Sequence, residues 1–175
     1  NISVNKFDLM VLPGVGAFNE AMNTLNEKNL LNTINQTLNK NKRFLGICLG
    51  MQLLFQESNE FKKTKGIGYF NGHVESFENF PIYKKTFIGW NKVDFNKNFF
   101  GSDEECHLLQ NKAYYFVHSF FVNCKNKNIE YGNSKNGKHK YASVVKKDNV
   151  TAFQFHPEKS GIDGLNLLKK ITKDI

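Results

Sequence analysis

A cysteine placed between two glycines, in RFLGICLGMQLLF at residues 43–55, restricts the fold more than any other feature of the chain. Residues 43–47 predict a short buried strand, and residues 49–55 carry apolar side chains at helical spacing. Cys48 therefore lies at the turn between strand and helix. Gly46 and Gly50 would let the chain fold sharply there, because glycine has no Cβ to obstruct a tight turn. This outline is that of a nucleophile elbow, with a thiol as the candidate nucleophile.

The flanking sequence predicts alternating strands and helices. The apolar run FDLMVL at residues 7–12 ends in PGVG and suits a buried parallel strand. Residues 18–40 carry apolar positions at helical spacing, with Asn29 as a cap between two helical pieces. Strand, helix, strand, helix is the α/β pattern.

The second half of the chain predicts further strands and one last helix. Glycine-punctuated alternation suggests short antiparallel strands in residues 66–93, and other strands are expected at residues 113–122, 140–145 and 150–155. Ser160 and Asp163 resemble a capping box that opens a final helix. We expect an α/β fold with a mostly parallel central sheet, flanking helices and an added antiparallel portion.

Size and cysteine usage narrow the class further. The 175 residues are 40% hydrophobic, so we expect one domain spanning residues 1–175. No run is long and apolar enough to span a membrane, and no signal-peptide pattern opens the chain. The cysteines Cys48, Cys106 and Cys124 are odd in number and form no CxxC pair. This usage argues against a disulfide framework or a zinc site and favours a reduced, cytoplasmic setting, with no metal or cofactor expected.

The charge distribution does not predict nucleic-acid binding. The formal charge is +8 and the pI near 9.3, but the lysines are spread among asparagines along the whole chain. No aromatic-basic RNA signature or zinc finger accompanies them. A basic face for docking a protein or a phosphorylated substrate stays open as an interpretation, because net charge bears on association rather than fold.

Cys48 has the setting of a reactive thiol. A thiol at a helix N-terminus feels the positive end of the helix dipole, which favours thiolate. The Leu49 N–H has no partner within that helix, so it can bind an oxyanion formed when sulfur attacks a carbonyl. The alternative is a small buried core cysteine, but two glycines at a strand-to-helix turn favour the nucleophile.

A thiol nucleophile needs a base, and His156 is the best of the five histidines. It ends a strongly apolar strand in FQFHPEKS, and Glu158 follows two residues on. Pro157 biases His156 away from helical geometry, and side chains at i and i+2 of an extended chain point the same way. The carboxylate can then fix the imidazole's tautomer. The alternative is a surface histidine beside a solvated glutamate.

The glycine-rich turn PGVGAF at residues 13–18 has two interpretations. It could cradle phosphate, but Gly14 and Gly16 lack the third glycine of a dinucleotide-binding turn. The better interpretation is a second oxyanion donor, with the two glycines letting the Val15 N–H turn towards the carbonyl at Cys48.

Taken together, these motifs give the chain a clear resemblance to the class I (triad) glutamine amidotransferases. Within that class it is most similar to the glutaminase subunits of imidazole glycerol phosphate synthase. The matching stretches are LPGVGAF, GICLGMQLLFQES, GWNKV, YYFVHSF and FQFHPEKS. They run in this order from near the start to near the end, so the resemblance covers essentially the whole chain.

The resemblance implies a role for each matching residue. Cys48 would attack the carboxamide carbon of glutamine, and His156 with Glu158 would move the protons. The remaining residues are oxyanion or substrate contacts (Val15, Gly16, Leu49, Gln52, His118, Ser119) and partner contacts (Trp90, Lys159). The partner implied is a HisF-type (β/α)8 cyclase subunit in a heterodimer, which receives the ammonia and makes imidazole glycerol phosphate and an aminoimidazole carboxamide nucleotide (AICAR) in histidine synthesis.

Three departures and three alternatives accompany that assignment. The family begins with a strand, a helix and a strand before FDLMVLPG; without them residues 7–12 would form a bare, aggregation-prone edge, and we expect poor solubility. Phe120 replaces a usual tyrosine, and the proline-histidine before Gly-Trp-Asn is missing. The alternatives are a related subunit supplying ammonia for amidation of a surface sugar, a truncated non-catalytic partner-binding subunit, and a thiol hydrolase of similar architecture.

Overall fold

The computed structural model describes residues 4–81, 84–99, 109–110 and 112–172; Cys106 and His107 lie outside them. Four α-helices are present in this part of the chain: α1 (Phe18–Glu27), α2 (Leu30–Asn39), α3 (Leu49–Leu53) and α4 (Gly161–Thr172). Asn29 does separate α1 from α2, but its side chain makes no capping hydrogen bond. It instead adopts a left-handed backbone conformation, with φ 55°.

Twelve strands occur among the described residues. They are β1 (Leu9–Leu12), β2 (Arg43–Ile47), β3 (Phe55–Ser58), β4 (Thr64–Lys65), β5 (Phe70–Ser76), β6 (Phe87–Lys92), β7 (Asp94–Phe95), β8 (Ala113–His118), β9 (Phe120–Cys124), β10 (Glu130–Asn136), β11 (His139–Lys147) and β12 (Val150–Phe153). Ten of them form one sheet in the order β1-β2-β12-β11-β9-β5-β3-β4, with β10 paired to β11 and β7. The other two, β6 and β8, form a separate antiparallel pair.

The main sheet is mixed, and the expected α/β class is confirmed. The pairs β1–β2, β2–β12 and β3–β5 are parallel, while β12–β11, β11–β9 and β9–β5 are antiparallel. Two local predictions were wrong. The helix after Cys48 ends at Leu53, so Phe55 opens a strand, and the run at residues 113–122 breaks at Ser119 into two strands of different sheets.

Apolar clusters cover both faces of the sheet. Successive residues of β2 point to opposite faces, so Phe44 packs into the cluster with α1 and α2. Leu45 and Ile47 pack into an aromatic cluster on the other side, which also contains Cys48. The central strands β2 and β12 are therefore buried on both faces, which is the reason they read as continuous apolar runs.

Close backbone packing explains one glycine of the elbow. A Cβ on Gly50 would lie 1.8 Å from the carbonyl oxygen of Leu12, so α3 can approach the end of β1 only with glycine there. β1 is the end strand of the described sheet, and Val11 is 46% exposed on it. No helix in the described part of the chain has the length and apolarity to cross a membrane.

Candidate active site

The candidate site lies where two adjacent parallel strands end. Cys48 directly follows β2, and its N–H donates to the carbonyl of Phe153, the last residue of β12, at 2.7 Å. Gln154 and His156 come just after β12. Because both strands run in the same direction, the side chains that follow them meet at one edge of the sheet, the usual location of α/β ligand sites.

The backbone of Cys48 is strained in the manner of a nucleophile elbow. Its φ of 54° and ψ of −109° fall outside the regions that non-glycine residues normally occupy. The side chain is buried, with the Sγ 3.8 Å from the carbonyl oxygen of Val117 and 3.8 Å from the Nε2 of Gln154. The thiol can thus donate to the first group and accept from the second.

The prediction that Cys48 favours thiolate is wrong for this conformation. Burial raises the pKa of the thiol to about 11, opposed by the Leu49 N–H and the Gln154 amide. The Glu158 carboxylate raises this pKa further, and the Lys159 ammonium lowers it. The helix that follows is only five residues long, so its dipole is too weak to offset desolvation.

His156 is held with one ring nitrogen paired and the other unpaired. Its Nδ1 lies 2.7 Å from Glu158 Oε1, and its backbone N–H donates to the Tyr115 carbonyl at 2.8 Å. Because the ionised carboxylate accepts hydrogen bonds, Nδ1 carries the proton and Nε2 is the basic nitrogen. Nε2 is buried and has no hydrogen-bond partner among the described residues.

The Ser160 hydroxyl links the backbone of His156 to that of Tyr115 on β8. Its hydroxyl donates to the His156 carbonyl at 2.6 Å and accepts from the Tyr115 N–H at 2.9 Å. The predicted capping box is therefore wrong: the Ser160 hydroxyl serves the site, and the Asp163 carboxylate pairs with Lys112 at 3.3 Å.

Strand β8 contacts both the backbone of His156 and the thiol of Cys48. Tyr115 O receives the His156 N–H, and Val117 O faces the Cys48 thiol. Carbonyls two residues apart on a strand point the same way and lie about 7 Å from one another, so β8 holds base and thiol along one edge. The thiol and the imidazole are not hydrogen-bonded to each other here, since the contacts of Sγ go to Val117 and Gln154.

The expected oxyanion donors are not yet aimed at a ligand. Leu49 N–H donates to the Gly14 carbonyl at 3.4 Å, so in this conformation the chain itself occupies this donor. The next residue, Val15, is 73% exposed, and Gly16 has φ 100°, a conformation that suits glycine.

Gln52 is tied to a polar chain beside the thiol. Its Nε2 donates to the Phe120 carbonyl at 3.0 Å and to Gln154 Oε1 at 3.1 Å. Gln154 in turn reaches the Cys48 sulfur through its own Nε2. The amide of Gln52 is therefore close to the nucleophile but is satisfied internally in this conformation.

His118 and Ser119 lie at the break between β8 and β9. Burial lowers the pKa of His118 to about 4, although its hydrogen bond to the Phe120 carbonyl, with Nδ1 at 2.8 Å, acts in the opposite direction. The Ser119 carbonyl accepts from the Phe77 N–H, and its hydroxyl contacts that of Thr86 at 2.9 Å. Neutral His118 is thus a structural support next to the site.

The two expected partner contacts are both on the surface. Trp90 is 56% exposed on β6, with its ring edge-on to Tyr115 at a centroid distance of 6.1 Å. Lys159 is exposed three residues after His156 and acts electrostatically on Cys48. The surface carrying these residues therefore borders the candidate site.

Sequence reasoning missed two supporting residues, Gln154 and Ser160, and the role of the β8 carbonyls. Gln154 did leave a signal, since it is the one polar residue inside the apolar run AFQF and is fully buried. The β8 carbonyls leave none, because main-chain groups are the same in every sequence. No cluster of three or more His, Cys, Asp or Glu side chains able to hold a metal is found in the described ranges.

Comparisons with known proteins define the class. The family model for class-I glutamine amidotransferases matches residues 2–173. The chain belongs to this family and is an enzyme of that class. Solved structures agree in fold: a chain of PurLQS from Thermotoga maritima has a TM-score of 0.70 at 16% identity, covering 97% of this chain and 81% of that one.

The most informative relatives share one name. The imidazole glycerol phosphate synthase subunit HisH of Aquifex aeolicus is 41% identical over 167 residues, covering 95% of this chain and 77% of the relative. HisH of Sulfurimonas denitrificans is 39% identical over 174 residues, covering 96% of this chain and 80% of the relative. The predicted resemblance is confirmed.

Proposed function

We propose that this chain is the glutaminase subunit of an imidazole glycerol phosphate synthase in histidine biosynthesis. It hydrolyses L-glutamine to glutamate and ammonia and passes the ammonia to a HisF-type cyclase. The observation that carries the proposal is a hydrogen-bonded His156–Glu158 pair at the same sheet edge as the strained Cys48, in a chain 41% identical to HisH.

The first half-reaction forms a thioester. His156 Nε2 takes the proton of the Cys48 thiol as the sulfur attacks the carboxamide carbon of glutamine. Glu158 stabilises the imidazolium through Nδ1. The same proton then passes to the leaving nitrogen, the C–N bond breaks and ammonia departs. With the thiol pKa raised to about 11, deprotonation has to accompany the attack rather than precede it.

The second half-reaction releases glutamate. His156 Nε2 takes a proton from water, the hydroxide attacks the thioester carbonyl, and the C–S bond breaks. The proton returns to the sulfur, so one glutamine and one water give one glutamate and one ammonia. Gln52 and the backbone at His118 and Ser119 hold the amino-acid end of the substrate, after the Gln52 amide exchanges its internal partners for the ligand.

Both half-reactions place negative charge on the carbonyl oxygen. The Leu49 N–H becomes available when the Gly14 carbonyl turns away, and the same peptide rotation aims the Val15 N–H at the oxyanion. Gly16, at φ 100°, supplies the freedom this needs. A donor of this kind contributes about 10²–10³ in kcat in other acyl-transfer enzymes.

The partner docks on the surface that carries Trp90 and Lys159. Exposed Ile88 and Trp90 follow one face of β6, and tryptophan is enriched among the residues that dominate binding energy at interfaces. A partner bound there would contact β6, which pairs with β8. The carbonyls of β8 in turn contact Cys48 and His156. Residues 1–175 act as one amidotransferase domain, in the cytoplasm.

A glutaminase assay on the chain with and without a HisF-type barrel tests the proposal. We expect low activity alone and strong stimulation when the barrel and its nucleotide ligand are present. Cys48→Ala should abolish turnover while the complex still forms in gel filtration. Thr24→Ala, on the exposed face of α1, is the matched control and should behave as wild type.

Three results would contradict the proposal. Glutamate release surviving Cys48→Ala would remove the thioester mechanism. Normal complex formation with no glutamine hydrolysis under any condition would instead favour the non-catalytic partner-binding subunit, and stimulation only by a sugar-amidating synthase would favour the other acceptor.

A further inference from the structure

A polar cavity lies on the aromatic side of the sheet, bordered by β5, β9, β10 and β11. Its volume is about 340 Å³, and Phe80 and Lys127 complete its lining. Glu75 on β5 and His139 at the start of β11 both border this cavity, and neither takes part in the proposed glutamine chemistry. The cavity is large enough for a small organic group.

The Glu75 carboxylate is half satisfied. Its Oε1 accepts from Asn123 Nδ2 at 3.1 Å and contacts the His73 ring nitrogen Nε2. Its Oε2 is buried and has no hydrogen-bond partner among the described residues. Buried polar atoms normally have partners, so an acceptor left over beside a cavity indicates a missing donor.

His139, which also lines the cavity, has a second unpaired polar atom. Its Nε2 is likewise buried without a partner in the described part of the chain. Burial lowers the pKa of His139, against the opposing effect of Glu75, so the ring is neutral at pH 7. A neutral imidazole can offer a nitrogen lone pair to a donor.

Aromatic rings complete the cavity wall. The Phe80 and Phe121 centroids lie 4.5 and 4.9 Å from that of His139, and 5.5 Å from each other. The faces of aromatic rings attract cations. A protonated nitrogen group suits this cavity, because it can donate to a carboxylate oxygen and a neutral imidazole nitrogen and pack against phenyl rings.

We propose that this cavity binds a small organic cation with an ammonium or guanidinium group. The cation donates to Glu75 Oε2 and to His139 Nε2 and packs against Phe80 and Phe121. Two sources share this chemistry, a free metabolite and a lysine or arginine side chain of a partner protein.

The other charged groups of the cavity are compatible with this ligand. Lys127 is neutralised by Glu130, with Nζ 2.8 Å from Oε1. Lys140 is exposed at the rim, where solvent screens its charge. Among the described residues, Glu75 is therefore the carboxylate of the cavity that has no lysine ion pair, and its Oε1 contacts the His73 ring instead.

Titration calorimetry with n-butylguanidinium and n-butylammonium tests the proposal on the full chain. We expect saturable binding of both cations and none of n-butanol, which has the same apolar tail without the charge. Glu75→Gln should weaken cation binding by about 10- to 100-fold, because it replaces a charge-assisted hydrogen bond with a neutral one. Phe80→Leu removes one ring of the wall and should weaken it by a smaller factor.

Controls separate the cavity from general charge effects and from the glutamine site. Glu78→Gln removes an exposed carboxylate nearby, whose Lys85 partner is 4.0 Å away, and should leave binding unchanged. Glu75→Gln is nearly isosteric and should keep both the thermal midpoint and the glutaminase activity, so failure here and failure of the proposed function are distinguishable.

Two further measurements complete the test. Binding should be constant at pH 7–8 and fall below the lowered pKa of His139, because a protonated ring repels the cation; Glu75, Glu130, Lys127, Lys140, His73 and Tyr141 are the other titratable groups at or beside the cavity. Binding that persists in the complex with a HisF-type barrel identifies a free ligand, whereas loss on complex formation identifies a partner side chain. Absence of saturable binding, equal binding of butanol, or no effect of Glu75→Gln would overturn the proposal.

Discussion

The two halves of the candidate site differ in how complete they are. On the base side, His156 has Glu158 at Nδ1, Tyr115 at its backbone N–H and Ser160 at its carbonyl. On the nucleophile side, Cys48 is protonated and its neighbour Leu49 donates to the chain itself. The described chain thus holds the His156 imidazole in a complete set of contacts, whereas the Cys48 thiol and the Leu49 N–H are engaged by the chain itself.

The largest effect is expected from the carboxylate that completes the base side. Glu158→Gln keeps the shape but removes the charge that fixes the Nδ1–H tautomer, so kcat for glutamine should fall by about 10²–10⁴. Steady-state kinetics with the partner present measures this. Glu27→Gln at the exposed end of α1 is the control, and an equal loss in both variants would show that the pairing is not catalytic.

The nucleophile side can be probed by alkylation of the thiol. With its pKa raised to about 11, Cys48 should react with iodoacetamide about tenfold faster per pH unit from pH 7 to 9. The rates are measured by mass spectrometry in a Cys106→Ser, Cys124→Ser background. A rate already at its plateau below pH 7 would show a preformed thiolate and so remove the contrast between the halves.

The lowered pKa of His118, which lies next to the site, should make the free energy of unfolding depend on pH in the acid range. Unfolded His118 binds a proton below its ordinary pKa of 6.5, but the folded group does so only near pH 4. Its contribution is therefore complete above pH 6.5 and is lost as pH falls towards 4, about 3 kcal/mol in all. Urea unfolding of wild type and His118→Gln across this range should converge at low pH, and parallel curves would contradict the shift.

The smallest effect is expected from Ser160, which acts on the base through the backbone. Ser160→Ala leaves the Tyr115 N–H and the His156 carbonyl without their shared hydroxyl, so unfolding free energy should fall by about 1–2 kcal/mol. Denaturant titration measures it, with Thr24→Ala expected within 0.5 kcal/mol of wild type. Unchanged stability together with unchanged kcat would mean that the base is positioned without this residue.

The sequence predicted the His156–Glu158 contact but not the raised pKa of Cys48, and the reason is physical. The His156–Glu158 pair is local, since only one residue separates the two. The prediction that this segment stays extended is nevertheless wrong, because Pro157–Lys159 forms a 3₁₀ turn, and the carboxylate reaches the ring from that turn. The protonation of the Cys48 thiol depends on burial by strands that are distant in sequence. The local sequence indicated only that a helix follows Cys48, and this helix is five residues long, so the raised pKa could not be predicted from it. Burial opposed the dipole and decided the outcome.

In the fold, too, local features were predictable from the sequence and tertiary ones were not. The central strands β2 and β12 were predictable because burial on both faces leaves continuous apolar runs. The pairing of β8 with β6 outside the main sheet was not, because register and sheet membership are tertiary properties. The contact that brings β8 to the site, an isolated antiparallel bridge between Tyr115 and His156, is tertiary as well.

Trapping of the acyl intermediate tests the central claim most directly. The chain with its barrel partner is mixed with glutamine, quenched in acid within the first turnovers and digested for mass spectrometry. We predict a γ-glutamyl adduct on the peptide that contains Cys48, removed by hydroxylamine and absent in His156→Ala. Steady glutamate release with no adduct on Cys48 at any time would contradict the account.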